Sequence, residues 1–219
     1  QHDLRTPLGI FSGYCDLLLS GSLGKLPKKS LEAVQKIKDL SQSELKEVNT
    51  FLDVTQFQLG KGILSLKPGV DIFLILKEAV SELGQKAESK GIYLKLQDSG
   101  KKIEISADRE KLKAAIFNII DNSIKYTPKG GIDIKLSENA DTVKIIISDT
   151  GIGMTKEIIN SLFDINSGRS ELAKRTTSVG KGLGLYLSGQ IITAHKGKVW
   201  AESEGEGKGS TFFVELPIK

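Results

Sequence analysis

Cysteine is almost missing from this chain of 219 residues: Cys15 stands alone, so no internal disulfide can form. Histidine is nearly as scarce, with His2 and His195 only, which leaves too few ligands for a zinc site. Both shortages suit a reducing, cytoplasmic setting. No apolar run approaches the ~20 residues of a membrane span, and no signal peptide is visible. The chain opens one residue before its first motif, however, which leaves room for a longer parent protein that carries such segments. An excess of one charge is lacking too: 31 Lys and Arg against 27 Asp and Glu leave a net +4, spread without long blocks. Pairs such as Lys28-Lys29 and Lys101-Lys102 therefore read as solvated surface, and no nucleic-acid partner is expected. What remains, 39% apolar and 26% charged residues with no repeat or low-complexity tract, is the composition of a globular chain forming one large or two modest domains.

Along the chain, Leu4, Leu8, Phe11, Cys15 and Leu18 recur at helical spacing and predict a helix-pairing stripe. His2 precedes Leu4 by two residues and is rotated from it by about 200°, so its imidazole is expected to face out of that seam. Pro7 cannot donate to the Asp3 carbonyl and is expected to bend the helix. A turn over Gly21 to Pro27 leads to a second helix, expected to start near Ser30 as its cap and to continue through Leu59. Two such helices expose too much apolar surface to stand alone, which predicts a homodimeric four-helix bundle. Gln58 to Gly62 reads as a linker, giving domains 1–60 and 61–219. Beyond it, Ile63 to Leu66, Ile92 to Leu96, Ile103 to Ile105, Ile132 to Leu136, Val143 to Ser148, Lys198 to Ser203 and Thr211 to Leu216 read as strands. Helices are expected over Val70 to Lys90, from Asp108 as cap to Tyr126, up to Phe163, and from Leu183 to His195. The fold class is α+β: a helical hairpin, then an α/β sandwich with a mixed sheet and helices on one face.

Three stretches of this second domain carry candidate chemistry. In Asn118-Ile-Ile-Asp-Asn-Ser-Ile-Lys-Tyr-Thr127, Asn118, Asn122 and Lys125 share one helix face, with Leu112, Ile116, Ile119 and Ile120 on the other. A solvated face is the plain alternative, but it would more usually carry Glu and Lys than two asparagines. Amide oxygens can hold a hard cation without adding negative charge beside phosphates, and Lys125 can neutralise phosphate oxygens. Asp149-Thr-Gly-Ile-Gly-Met154 ends a strand with an acceptor-only carboxylate and two glycines, Gly151 and Gly153, that allow close approach; an ordinary tight turn would read similarly. Gly180-Lys-Gly-Leu-Gly-Leu185 precedes a helix, where free backbone amides form an anion site. It is not a P-loop, since Lys181 is followed by glycine. His195 ends a helix before Gly197 and reads as structural.

With His2-Asp-Leu-Arg-Thr-Pro-Leu8 at the front, these motifs in this order resemble a sensor histidine kinase of a two-component system, with an ATP-binding domain of the fold shared by gyrase, chaperone and mismatch-repair ATPases. The resemblance covers nearly the whole chain. It implies that Asn118 and Asn122 hold Mg²⁺ with ATP, Lys125 contacts phosphate, Tyr126 lies beside the nucleotide, and Asp149 accepts from the adenine amine, with Gly151 and Gly153 close to the base. Gly180, Gly182, Leu183 and Gly184 form the second glycine box, and Gly207 to Thr211 a further element that buttresses the site. His2 is the implied phosphoacceptor, Asp3 its general base and orienter, and Thr6 a residue that positions water when a partner's phosphoaspartate is hydrolysed, so phosphatase activity is also implied. The implied partners are a response-regulator receiver domain and a second copy of the chain. Asp164 to Val179, with Arg169, Lys174 and Arg175, reads as a lid over the triphosphate. There the sequence departs from the family, whose phenylalanine-rich box is reduced to Phe163. Two rivals share parts of this pattern: an ATPase that makes no phosphohistidine, and a silent dimeric scaffold.

Overall fold

The computed structural model describes residues 2–59, 64–97, 102–164 and 183–218, with side chains from residue 9 onward. The expected lid, Gly180, Gly182 and the side chains of His2, Asp3 and Thr6 lie outside that set. By contact density the chain divides into two compact units, Gln1–Lys61 and Gly62–Lys219.

The first unit is a hairpin of α1 (His2–Leu19) and α2 (Lys28–Gln58). α1 includes Pro7, near enough to its start that only the Asp3 carbonyl loses an intrahelical donor. α2 begins two residues before the expected cap. Pro27 takes the N-cap position, and its carbonyl accepts from the N–H groups of Ser30 (2.9 Å) and Leu31 (3.1 Å), so Ser30 lies inside the helix. Cys15 and Val54 are buried between the helices, and Lys38 pairs with Asp16 at 2.6 Å. Phe11, expected in the pairing stripe, is instead exposed, as are Ile10, Tyr14 and Leu17 on α1 and Ile37, Leu40 and Phe51 on α2.

The second unit runs β1 (Lys67–Asp71), α3 (Ile72–Ser89), β2 (Tyr93–Leu96), β3 (Glu104–Ala107), α4 (Arg109–Tyr126), β4 (Gly131–Glu138), β5 (Thr142–Asp149), α5 (Lys156–Ser161), α6 (Leu183–Ala194), β6 (Lys198–Glu202) and β7 (Ser210–Pro217). The first strand was expected over Ile63 to Leu66. It lies later, in Lys-Pro-Gly-Val-Asp, where Val70 pairs with Ile105 and the register shifts around Pro68 and Gly69. A strand holding proline and glycine runs against propensity, which is why periodicity missed it. β1 and β3 form a small antiparallel sheet. The main sheet has the order β2-β4-β5-β7-β6, parallel between β2 and β4 and antiparallel elsewhere, so it is mixed.

Alternation places Ile132, Ile134, Val143, Ile145, Ile147, Phe212, Val214 and Leu216 on one face, all buried. α4 answers with Leu112, Ala115, Ile116, Ile119, Ile120, Ser123 and Ile124, a 3-4 repeat that is apolar at every buried position but Ser123. Asp108 caps α4 by accepting from Lys111 N–H, and its other oxygen accepts from Ser65 N–H at 3.0 Å. Behind that cap sits His195, 4% exposed: Nε2 accepts the Asp108 N–H (2.9 Å), so Nδ1 carries the proton it shares with the Ile191 carbonyl (2.8 Å). The ring thus joins the end of α6 to the start of α4, the structural role expected of it.

Candidate functional site

The polar face of α4 and the turn after β5 meet at one cavity in the second unit. It is lined by Asn122, Ser123, Tyr126, Asp149, Gly153 and Ser210 among polar and backbone groups, and by Ile152, Met154, Leu162, Leu185 and Phe212 as apolar walls. Apolar walls around a few convergent polar groups suit a flat heteroaromatic ring.

Hydrogen bonds orient both asparagines. Asn118 Nδ2 donates to Ser188 Oγ at 3.1 Å, and Asn122 Nδ2 donates to the Asn118 carbonyl at 2.8 Å. Each amide nitrogen is therefore used inside the protein, and each Oδ1 is left as an acceptor with no hydrogen bond among the described residues. Two neutral oxygens one helical turn apart suit a hard divalent cation. Ser188 was not singled out from sequence; its hydroxyl also reaches the carbonyls of Ala115 (3.2 Å) and Gly184 (3.0 Å), so it locks the α4–α6 contact that holds Asn118. Gly184 leaves room for the Asn118 amide, since a Cβ there would lie 2.7 Å from Asn118 Oδ1 and oblige that side chain to shift.

Asp149 is held by its neighbours rather than left to swing. Its Oδ1 accepts from Gly151 N–H at 2.8 Å and from Ser210 N–H at 3.1 Å, while its other oxygen takes no backbone donor among the described residues. Burial pushes the carboxyl above the ordinary aspartate range, opposed by those two N–H groups and by the nearby Ser123 hydroxyl. The turn itself is stapled on two sides. Thr150 Oγ1 accepts from Gly131 N–H (3.0 Å) and donates to the Lys129 carbonyl (2.9 Å). On the other side, Ser203 Oγ accepts from Met154 N–H (3.0 Å) and donates to the Gly209 carbonyl (2.6 Å). Gly207 N–H and Gly209 N–H complete the join to the carbonyls of Ile152 and Gly151.

Other expected residues fall around this core. Tyr126 lines the cavity, and Lys125 Nζ stands 5.2 Å from its ring centroid. Lys90, unanticipated, donates to the carbonyls of Ile124 and Lys125, both at 2.6 Å, and closes the C-terminus of α4; burial pushes its amine below the ordinary lysine range. Thr211 turns its hydroxyl to Ser148 at 3.1 Å on the opposite sheet face, and the cavity-lining neighbour is Ser210. Phe163 packs toward Gly189, while Leu162 beside it lines the cavity. Leu183 opens α6.

A sequence model described as histidine kinase-, DNA gyrase B-, and HSP90-like ATPase matches residues 107–219. The circadian input-output histidine kinase CikA of Synechococcus elongatus is 30% identical over 99% of this chain, which spans 29% of that relative. The histidine protein kinase DivJ of Caulobacter vibrioides is 28% identical over the whole chain, which spans 36% of it. Among solved structures, full-length ShkA in complex with AMPPNP aligns with 99% of this chain and 44% of its own, at a TM-score of 0.80 and 27% identity. The histidine kinase ThkA in complex with the response regulator protein TrrA shares the fold at a TM-score of 0.65 and 20% identity, over 100% of this chain and 59% of that one.

Proposed function

We infer the activity from one premise: the chain belongs to the histidine kinase-, DNA gyrase B- and HSP90-like ATPases and, among them, to the sensor histidine kinases. Its second unit binds ATP, and the γ-phosphoryl passes to His2 and then to an aspartate of a response-regulator receiver. The observation that carries this reading is the freeing of acceptor oxygens on Asn118 and Asn122, one turn of α4 apart, beside a cavity whose other polar wall is Asp149.

Asp149 accepts from the adenine amine, the apolar walls hold the ring, and Lys125 neutralises phosphate charge. The two asparagine oxygens would hold Mg²⁺, whose bound charge offsets that of the phosphates. In the transfer, a neutral nitrogen of His2 forms the N–P bond as the bond from γ-phosphorus to the bridging oxygen breaks, ADP departs, and Asp3 takes the proton from the other ring nitrogen. Positioning and charge neutralisation supply most of the acceleration. Thr6, by the same resemblance, orients water for dephosphorylation of the receiver. Gly180, Gly182 and Gly184 offer backbone amides to phosphate.

The exposed residues Ile10, Tyr14 and Leu17 share one side of α1, and Ile37, Leu40 and Phe51 one side of α2. They pair with a second copy to make a four-helix bundle, and light scattering at micromolar concentration should return a dimer; a monomer would contradict it.

Calorimetric titration of ATP tests the nucleotide reading. Wild type should bind more tightly with Mg²⁺ than without. Asn122→Asp should weaken Mg-ATP by about tenfold or more, equivalent to about 1.4 kcal/mol, because it sets a carboxylate against the Asn118 carbonyl and the phosphates. Absence of ATP binding in either protein would favour a silent scaffold.

A further inference from the structure

Ser188 stands on α6 at 1% exposure, and its hydroxyl joins two helices. Oγ lies 3.0 Å from the Gly184 carbonyl on its own helix, 3.2 Å from the Ala115 carbonyl on α4, and 3.1 Å from Asn118 Nδ2. A hydroxyl has a single proton to give, and both carbonyl oxygens can only accept. Were that proton turned to Asn118, the lone pairs of Oγ would face two carbonyl oxygens at close range. Pointed at the carbonyls instead, the proton leaves Oγ to meet Asn118 as an acceptor. The Asn118 amide then has one favourable setting, with its NH₂ against Ser188 and Oδ1 turned away.

The amide packs against Gly184 in the first turn of α6, where backbone N–H groups lack intrahelical partners and favour phosphate. With Oδ1 turned away from Ser188, Asn118 offers an acceptor that suits a cation bound to those phosphates. With the amide reversed, an NH₂ stands in the same place and donates to phosphate oxygen directly. One asparagine can therefore serve the metal or the anion, and the Ser188 hydroxyl decides between them. The two carbonyls do not depend on that hydroxyl, since each also accepts the N–H four residues further along its helix.

We propose that Ser188 is a positioning residue of the nucleotide site: it holds the Asn118 amide in the orientation that accepts a divalent cation, and so sets how far Mg²⁺ strengthens nucleotide binding. This rests on the ATP-binding reading above and deepens it. Ser188 acts through Asn118 and needs no contact of its own with nucleotide or metal.

Calorimetric titration of AMPPNP, once in saturating Mg²⁺ and once in EDTA, reads the ratio of the two affinities. In Ser188→Ala the affinity in EDTA should stay within about twofold of wild type, while the gain from Mg²⁺ should shrink about fivefold or more, as expected for one lost hydrogen bond. In an Asn118→Ala background, where the amide is gone, adding Ser188→Ala should leave the remaining gain unchanged. A loss of equal size with and without Mg²⁺ would mark the hydroxyl as a packing group and overturn the proposal. An undiminished gain in Ser188→Ala, or a further fall in the Asn118→Ala background, would overturn it too. Should Ser188→Ala not fold, Ser188→Cys keeps the volume with a poor acceptor, and the same results decide. A wild type that binds AMPPNP equally with and without Mg²⁺ would remove the cation from Asn118 and Asn122, and this proposal with it; a wild type that binds no AMPPNP would overturn the ATP-binding reading first.

Discussion

Asp149→Asn should lose about 100-fold or more in affinity for ATP, and it should lose it for a geometric reason. The N–H groups of Gly151 and Ser210 both point at Oδ1, so the variant's amide must keep its oxygen there. Its NH₂ then faces the cavity, donor against the donor amine of adenine. A lost charge-assisted hydrogen bond of about 1.5–3 kcal/mol plus that mismatch gives the expected factor. The same substitution should improve relative binding of a 6-oxopurine nucleotide such as GTP, whose O6 accepts. Stability should move the other way. Burial raises the Asp149 carboxyl, so its contribution to stability is fully present below the ordinary aspartate value and is lost as pH rises through the higher folded value. At neutral pH the charged group is a cost, and Asp149→Asn should melt at an equal or higher temperature than wild type without nucleotide. For wild type, acidification through that raised pKa should weaken ATP beyond the weakening seen in the variant, since both share the titration of ATP itself. Equal affinities of wild type and variant for ATP at neutral pH would remove Asp149 from the adenine site.

Gly153→Ala should be among the most damaging small substitutions in the second unit. Gly153 has φ +68°, where an L side chain costs about 1–2 kcal/mol, and an added Cβ would stand 2.0 Å from the Gly205 carbonyl oxygen. That oxygen belongs to backbone and cannot rotate away. The loop carrying Gly207 and Gly209 must move, and with it the N–H of Ser210 that holds Asp149. We expect a loss of about 3 kcal/mol or more, which for a unit of this size is a fall of roughly 6–12 °C in midpoint, with ATP binding reduced beyond detection. Gly207→Ala provides the contrast: φ is +76°, but nothing lies within 4 Å of its Cβ. It should cost only the conformational penalty of about 1–2 kcal/mol and keep ATP binding. Similar effects from the two substitutions would show that close packing of the two turns is not what shapes the site.

The parts of this molecule that were legible in its sequence are those governed by periodicity. α4 follows the 3-4 spacing of Leu112 to Ile124 with Asp108 as its cap, and β4 and β5 alternate around Asn139, whose side chain accepts from Asp141 and Thr142 N–H. The long α2 was legible in extent but not in its first turn, because Pro27 caps it through a backbone carbonyl and no side-chain signature marks that. β1 was misplaced because its pairing with β3 is decided by tertiary context, against the propensities of Pro68 and Gly69.

Among the residues that line the cavity, Asn122, Asp149 and Tyr126 are those that motif order singles out. The hydroxyls of Ser188, Ser203 and Thr150 were missed, since a serine or threonine in a turn or helix carries no pattern until its partners are known. Ser123 did leave a signal. It is a polar residue at a core position of the α4 stripe, and that mismatch between pattern and chemistry can be read without coordinates. Thr211 was placed in the site and its neighbour Ser210 was not, a one-residue difference that on a strand means the opposite face.

The most direct test of the kinase reading is to incubate the chain with γ-labelled ATP and Mg²⁺ and follow label on the protein. Wild type should acquire label that acid removes and base spares, the behaviour of a phosphorylated imidazole, and His2→Gln should bind ATP unchanged yet acquire none. Label that persists in His2→Gln, or release of phosphate by wild type with no label at any time, would contradict transfer to His2.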